Sequence, residues 1–302
     1  MKILLAAQKP FSPYAVNKIG ERAKTDHELA VLEKYSNQSD LVNAVKDVDA
    51  LIVRSDLVTA EVIDAAPNLK IVVRAGAGYD NIDLAQCTAR HIVVMNTPGQ
   101  NSNAVAELAL GLMIYMSRNL FSPGTGSELK NRKLGIHAYG NVGKLIAAHA
   151  KGFGMEVYGF DPFVIDEVFK RDGVVACKSA QELYAACDII SINIPAVAST
   201  IKSINKDLLG CLKDNAILIN TARKEVICED DLAAAMQTSH IRYATDIKPA
   251  NHDKMTEFGT RYFATPKKMG AETEEANVNA AIAAINQIVN FFKTGDETYR
   301  VN

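Results

Sequence analysis

The sequence predicts an α/β protein built on two doubly wound parallel sheets. Three observations carry that expectation. Short, nearly continuous apolar runs alternate with stretches of helical period along almost the whole chain, the rhythm of parallel strands covered by helices on both faces. At 302 residues the chain is longer than one hydrophobic core comfortably organises. Two long helical patterns, near 103–118 and 273–293, break the alternation into two series.

In chain order, residues 3–7, 50–53, 70–73 and 92–95 read as strands, with helices near 14–23, 40–45 and 60–66. The long helix over 103–118 places Val105, Leu108, Leu112 and Tyr115 or Met116 at helical spacing, with Glu107 near its start. The second series has strands at 134–137, 157–160, 189–194 and 216–220, and helices near 142–151, 181–185 and 230–236. The last helix, 273–293, is rich in Ala, Ile and Val. The stretch FSPGTGS at 121–127 is the best domain boundary by composition. A chain that crosses to a second domain on one long helix and returns on another is expected to place its active site in the cleft between them. Residues 1–96 with 272–302 then form one domain and 97–271 the other.

Composition excludes several classes. Apolar residues make up 48% and charged residues 23%, ordinary values for a globular protein. A net charge of −2 and the lack of a basic run give no footprint for nucleic acid. The apolar start ends at Ala7, too short for an export signal and without a cleavage pattern, so it reads as a buried first strand. No segment approaches the ~20 apolar residues that span a bilayer, so no membrane partner is expected. Cys87, Cys177, Cys187, Cys211 and Cys228 form no C-x-x-C pair and the histidines are scattered, so no metal is expected. The cysteines read as free thiols of a reducing cytoplasm.

The segment LGIHAYGNVGK, 134–144, ends a strand and opens a helix. Gly140 and Gly143 take the second and third places of G-x-G-x-x-G: the second lets the backbone approach a pyrophosphate, the third lets helix pack on strand. Ala138 stands in the first place, and a plain strand-to-helix turn with two convenient glycines is the alternative. The next strand, EVYGFD at 156–161, ends in Asp161, 18 positions after Gly143. A carboxylate about 20 residues on hydrogen-bonds a ribose 2′-hydroxyl and repels a 2′-phosphate, which favours NAD over NADP. Otherwise Asp161 is a solvated strand-end residue ahead of Pro162.

Other strand ends carry polar groups. In RAGAGYDNID, 74–83, Arg74 is followed by Ala75, Gly76 and further small residues whose backbone N–H groups are expected to converge on an anion. Arg54 offers a forked partner for phosphate or carboxylate, or else a surface ion pair. In NTPGQNSNAVAE, 96–107, Asn101 precedes the positive end of a long helix; a cap formed by Asn101 or Ser102 is compatible with a ligand role. Arg223, in INTARK at 219–224, follows an apolar strand, where open parallel sheets collect ligands.

These segments, together with TPKKMG at 265–270, resemble the D-2-hydroxyacid dehydrogenase family along essentially the whole chain. The resemblance implies two Rossmann-like domains, one flavodoxin-like and one dinucleotide-binding, with NAD as cofactor and a small anionic 2-hydroxy acid as substrate. It places Tyr139, Gly140, Asn141, Val142, Gly143, Asp161, Pro195, Thr221, Ala222, Asp246 and Gly270 on the cofactor. Arg54, Ser55, Arg74, Ala75, Gly76 and Asn101 fall on the substrate. Arg223 is implied to hold the substrate carboxylate and polarise its C2 oxygen, a bidentate task suited to arginine. Asp246 is implied at the nicotinamide end, with a turn-capping aspartate as the alternative. Within the family the likeness is to the phosphoglycerate-oxidising branch, through Val53, Arg54, Ser55 and the Arg74 loop. That branch converts 3-phosphoglycerate to 3-phosphohydroxypyruvate, the first step of serine biosynthesis. Another 2-hydroxy acid (glycerate, lactate or hydroxypyruvate) and a non-catalytic NAD-sensing interaction module are the alternatives. A cytoplasmic homodimer is what the family implies.

The chain departs from the family's pattern at its acid/base. Where the family has a histidine, paired with a glutamate that orients it, this sequence has Lys267 and, nearest the glutamate's place, Asn251. The two losses fit together: without the carboxylate and with Arg223 nearby, the ammonium form is disfavoured, and a lysine brought towards neutrality can exchange the substrate proton. Lys267 acting only as a positive charge, Lys268, and His252 are the competing assignments. The connection over 118–134 is shorter than the helical excursion many relatives carry, and there is no tryptophan, so dimer contacts made there in relatives are not expected to carry over. The chain stops soon after its last helix, so serine feedback through an appended domain is not expected either.

Overall fold

The computed structural model describes residues 1–23 and 27–302. The chain divides into two compact units, Met1–Asn101 with Glu272–Asn302, and Ser102–Ala271.

The first unit runs β1 (Lys2–Ala7), α1 (Pro13–Ala23), β2 (Glu28–Glu33), α2 (Gln38–Ala44), β3 (Ala50–Val53), α3 (Ala60–Asp64), β4 (Ile71–Arg74), α4 (Leu84–Ala89) and β5 (Val93–Asn96), and takes in the last helix of the chain, Glu274–Thr294. Among the described residues its strands form one parallel sheet in the order β2-β1-β3-β4-β5. The period-2 geometry of β1 divides the apolar residues between two cores. Ile3, Leu5 and Ala7 pack with Ile19 of α1 and Ile285 and Ile288 of the last helix, while Leu4 and Ala6 pack with Leu41, Val62 and Cys87 on the other face. The order reverses between β1 and β3, and such a switch point opens a crevice at the carboxyl ends of the strands. Arg54 leaves β3 there.

The second unit runs α5 (Ser102–Ser117), β6 (Lys133–His137), α6 (Asn141–Gly152), β7 (Glu156–Phe160), α7 (Asp166–Arg171), β8 (Val175–Ala176), α8 (Ala180–Ala186), β9 (Ile189–Ile192), α9 (Lys206–Leu209), β10 (Ile217–Asn220), α10 (Glu229–Thr238), β11 (Arg242–Thr245), α11 (His252–Thr256) and β12 (Tyr262–Ala264); the last helix is α12. Its strands form a parallel sheet in the order β12-β11-β10-β9-β6-β7-β8. Leu134, Ile136, Ile217 and Ile219 face α5 and α6, and Ile190, Ile192 and Leu218 face Leu183, Leu232 and Met236 of α8 and α10. The reversal lies between β6 and β9, beside the 138–143 turn.

The breaker-rich stretch 121–127, expected as a domain boundary, lies inside the second unit. Its composition serves a local fold-back: Asn119, Leu120 and Phe121 all have positive φ, and the Ser127 N–H returns to the Ser117 carbonyl at the end of α5. The units meet in sequence at Asn101/Ser102 and Ala271/Glu272. Sequence periodicity passed over β2, β8, β11 and β12. β2 is a partly exposed edge strand, and the other three are short or polar. The strand expected over 189–194 ends at Ile192.

Candidate functional site

In the second unit the turn after β6 assigns separate tasks to its small residues. Ala138, in the motif's first place, has φ +74°, a left-handed conformation that costs a non-glycine residue about 1 kcal/mol or more. A Cβ on Gly143 would lie 2.5 Å from the Ala138 carbonyl oxygen and 2.9 Å from Ile136 Cγ2, so glycine is needed for α6 to approach β6. A Cβ on Gly140 would meet nothing within 4 Å. The chain itself therefore makes no steric demand for glycine at 140; the close approach of a ligand would. Asn141, Val142 and Gly143 open α6, whose first N–H groups have no intrahelical acceptor. The Tyr139 ring is buried against Phe169 and donates to Asp172, leaving its backbone at the turn.

Asp161 is fixed by this turn. One carboxylate oxygen accepts the Tyr139 N–H at 2.8 Å and the other the Phe163 N–H at 2.9 Å, and each keeps a lone pair for a hydroxyl. Beneath the turn, burial pushes the His137 imidazole down to about 4, and Nδ1 pairs with the Tyr184 hydroxyl at 3.2 Å.

A second group gathers beyond β10 and β11. The Ala222 carbonyl accepts both Lys268 Nζ at 2.9 Å and Arg223 Nη1 at 3.0 Å, so two cations converge on one oxygen. Asn220 braces the turn by accepting the Ala222 N–H at 3.0 Å and donating to the Arg223 carbonyl at 3.0 Å. Asp246 is wholly buried, and its Oδ2 accepts the Gly270 N–H at 2.9 Å. Burial raises the pKa of this carboxyl despite the opposing pull of Lys268, the Gly270 and Met269 N–H groups and Arg223. Among the described residues its Oδ1 and the buried Thr221 Oγ1 have no hydrogen-bond partner. Pro195 is exposed just past β9.

Lys267 is exposed, and its carbonyl accepts the Thr265 hydroxyl at 2.7 Å. Asn251, at the place of the expected glutamate, donates from Nδ2 to the Glu229 carbonyl at 3.0 Å, while the Glu229 carboxylate accepts the Ala250 and Asn251 N–H groups. Both residues line a cavity of ≈ 520 Å³ with Lys202, Lys224 and Cys228. His252 pairs with the Tyr262 hydroxyl at 2.8 Å.

In the first unit the Arg74 loop differs from expectation. The Ala75 N–H donates to the Val53 carbonyl and the Gly76 N–H to the Arg74 carbonyl, both at 2.8 Å, so these two groups do not converge on an anion. The tight turn after β4 uses them internally. Its small residues seat the Arg74 side chain instead: a Cβ on Gly76, at φ +152°, would strike the guanidinium. Arg74 Nε donates to the Arg54 carbonyl at 2.9 Å. Arg54 is no simple surface ion pair either. It donates to the Lys9 and Pro10 carbonyls at 3.2 Å and to Asn277 Oδ1 at 2.5 Å, with Glu272 at 3.9 Å and the Phe11 ring beneath it. Ser55 is exposed, and Asn101, half-buried, directly precedes α5.

Sequence reading missed Asp56 and Tyr35, which hold the Arg54 turn, and Glu229, which holds Asn251. An aspartate directly after a strand-end Arg-Ser pair was the only signal available.

Among the described residues no helix is long and apolar enough to cross a membrane, and no group of three or more His, Cys, Asp or Glu side chains is placed to hold a metal. The five cysteines are free, and burial pushes the thiols of Cys87, Cys177 and Cys187 up to about 12, 11 and 12.

Two parallel sheets, a glycine turn at one switch point and a strand-end arginine at the other define a class, and the chain belongs to it: residues 4–302 match the catalytic domain of the D-isomer-specific 2-hydroxyacid dehydrogenases. The particular likenesses are narrower. A 3-phosphoglycerate dehydrogenase of Entamoeba histolytica, whose crystal structure contains NAD+, is 44% identical with a TM-score of 0.92, over 100% of this chain and 98% of that one. D-3-phosphoglycerate dehydrogenase of Methanocaldococcus jannaschii is 34% identical over 268 residues, 83% of this chain and 51% of that protein. Hydroxypyruvate reductase of Thermotoga maritima is 33% identical over 282 residues, 86% of this chain and 90% of that protein. The chain thus spans about half the length of several curated phosphoglycerate dehydrogenases that it matches.

Proposed function

We propose that the chain is an NAD-dependent oxidoreductase that oxidises 3-phosphoglycerate at C2 to 3-phosphohydroxypyruvate, the entry to serine biosynthesis, as a cytoplasmic homodimer. In this reading Met1–Asn101 with Glu272–Asn302 binds substrate and Ser102–Ala271 binds NAD. The observation that carries it is the division of labour between Gly143, demanded by the chain's own packing, and Gly140, which is open to a ligand above the start of α6. The residues fit a dinucleotide: α6 and Gly140 for the pyrophosphate, Asp161 for a ribose, and the unpartnered Thr221 and Asp246 oxygens, with Pro195, Ala222 and Gly270, for the remainder. The likeness to the Entamoeba enzyme supports the substrate.

NAD, when bound, supplies the hydride acceptor. Arg223 binds the carboxylate and draws charge onto the C2 oxygen. Lys267 takes the hydroxyl proton as hydride leaves C2 and returns it in the reverse direction. Arg54 and Arg74, with Ser55 and Asn101, hold the anionic ends of the substrate, and Ala75 and Gly76 shape the turn that seats Arg74. Lys268 is a second candidate for the proton, favoured by its place beside Arg223 on the Ala222 carbonyl. Hydroxypyruvate is a second candidate substrate, because the reductase that resembles this chain matches it over nearly its own full length.

Turnover of a panel of 2-hydroxy and 2-oxo acids with NAD(H) and NADP(H), for wild type, Lys267→Ala and Lys268→Ala, tests these points together. The expected result is a preference for 3-phosphoglycerate with NAD and loss of turnover, with binding retained, in Lys267→Ala. Near-normal turnover in Lys267→Ala and loss in Lys268→Ala would move the proton to Lys268. No NAD-dependent turnover of any acid would leave an NAD-sensing module.

A further inference from the structure

Asp56 is a carboxylate buried to 2% exposure just past the end of β3, and its side-chain partners among the described residues are N–H and O–H groups rather than a cation. A buried carboxylate costs several kcal/mol unless hydrogen bonds replace its water. Here they do. Oδ1 accepts the Gln8 N–H and the Tyr35 hydroxyl, both at 2.7 Å, and Oδ2 accepts the Arg54 N–H at 3.1 Å. The Asp56 carbonyl accepts Asn81 Nδ2 at 2.7 Å. Gln8 follows β1, Tyr35 follows β2, Arg54 follows β3 and Asn81 lies beyond β4, so four strand-end segments of the first unit are tied to one residue.

Arg54 stands at the centre of this arrangement. Asp56 fixes its backbone N–H, and its carbonyl in turn accepts Arg74 Nε at 2.9 Å. Moving that peptide would displace both arginines together. The Tyr35 hydroxyl keeps its proton, its pKa raised by burial and by Asp56, and so remains a donor to the carboxylate. An apolar side chain at 56 would be cheaper to bury; what the carboxylate adds is a fixed height for the turn that carries Arg54 and Ser55.

We propose that Asp56, with Tyr35 behind it, is a positioning residue for substrate binding: it sets the pose of Arg54 and, through the Arg54 carbonyl, of Arg74. The inference rests on the reading that these arginines bind the anionic substrate.

The test uses the full chain with NAD and compares Asp56→Ala, Asp56→Asn, Tyr35→Phe and Arg54→Ala. Asp56→Ala should raise KM for 3-phosphoglycerate about tenfold, about 1.4 kcal/mol, with kcat and KM for NAD within about twofold, because the lost hydrogen bonds orient the arginines rather than the reacting atoms. Asp56→Asn, which keeps one acceptor oxygen, should recover part of that loss, and Tyr35→Phe should raise KM about threefold. The increase in melting temperature produced by 3-phosphoglycerate should shrink in the same order. The double variant Asp56→Ala/Arg54→Ala should lose less than the sum of the two single variants, because the Arg54 share of the Asp56 effect is already gone while the Arg74 share, carried by the backbone at 54, remains. Fully additive losses would overturn the proposal, as would an unchanged substrate KM in folded Asp56→Ala. If Asp56→Ala does not fold, the decision passes to Asp56→Asn and Tyr35→Phe: raised KM supports the proposal and unchanged KM in both overturns it. An unchanged KM in Arg54→Ala would instead overturn the underlying reading of the arginines.

Discussion

The two units solve the same problem, polar groups at the carboxyl edge of a parallel sheet, in opposite ways. In the first, the edge is braced: Asp56 gathers four segments, and both arginines are tied to backbone carbonyls. In the second, the edge stays open at selected atoms. Gly140 faces space, Thr221 Oγ1 and Asp246 Oδ1 lack partners among the described residues, and two cations share the Ala222 carbonyl. A braced edge holds charges in a set pose, whereas an open edge gains its missing contacts from what binds there.

The sharpest separation should come from the two arginines. Arg223→Ala is expected to lower kcat/KM about 10²–10³-fold, mostly through kcat, because the role proposed for it is at the reacting oxygen. Arg54→Ala should act on substrate KM, by about tenfold, and also lower the melting temperature, since its guanidinium bridges Lys9, Pro10 and Asn277. Equal kcat losses in steady-state assays would erase the distinction.

The glycine pair probes the open edge. Gly143→Ala forces a Cβ against the Ala138 carbonyl and should destabilise by about 1–3 kcal/mol in denaturant unfolding. Gly140→Ala should leave stability unchanged within about 0.5 kcal/mol while weakening NAD binding in fluorescence titration. Equal stability losses would mean that Gly140 serves the fold.

Acid should weaken the second unit through His137. The folded state holds His137 neutral, its pKa lowered to about 4 from 6.5, so its contribution is fully present above 6.5 and is lost as pH falls through about 4. The loss amounts to about 3 kcal/mol at the acid limit. His137→Gln should flatten the fall in melting temperature between pH 6.5 and 4, and an identical slope in the variant would count against it. The smallest effect is expected at Ala138, where Ala138→Gly should relieve the +74° φ and stabilise by up to about 1 kcal/mol, measured by the same unfolding assay.

Strands buried on both faces were legible in the sequence because their apolar runs are continuous, as in β1, β3 and β10. β11 and β12, reading RYAT and YFA, were not, since their identity comes from the neighbours they pair with. The glycine turn was legible for a local reason: its spacing follows from the geometry of one strand and one helix. The surroundings of Arg54 were hidden because its partners Pro10 and Asn277 lie 44 and 223 positions away. The same distance effect hid the internal use of the Ala75 N–H, which pairs with Val53 across the sheet.

The last helix has a consequence for how the protein is made. α12 supplies Ala281, Ile285 and Ile288 to the core that also holds Ile3 and Leu5 of the first strand. On the ribosome, Ser102–Ala271 emerges as one uninterrupted piece, while the sheet that began earlier has one apolar face covered only in part, by α1, until α12 arrives. The first unit to be translated is therefore the last to be finished, and a chain interrupted before Glu274 would present that face to chaperones or to its neighbours.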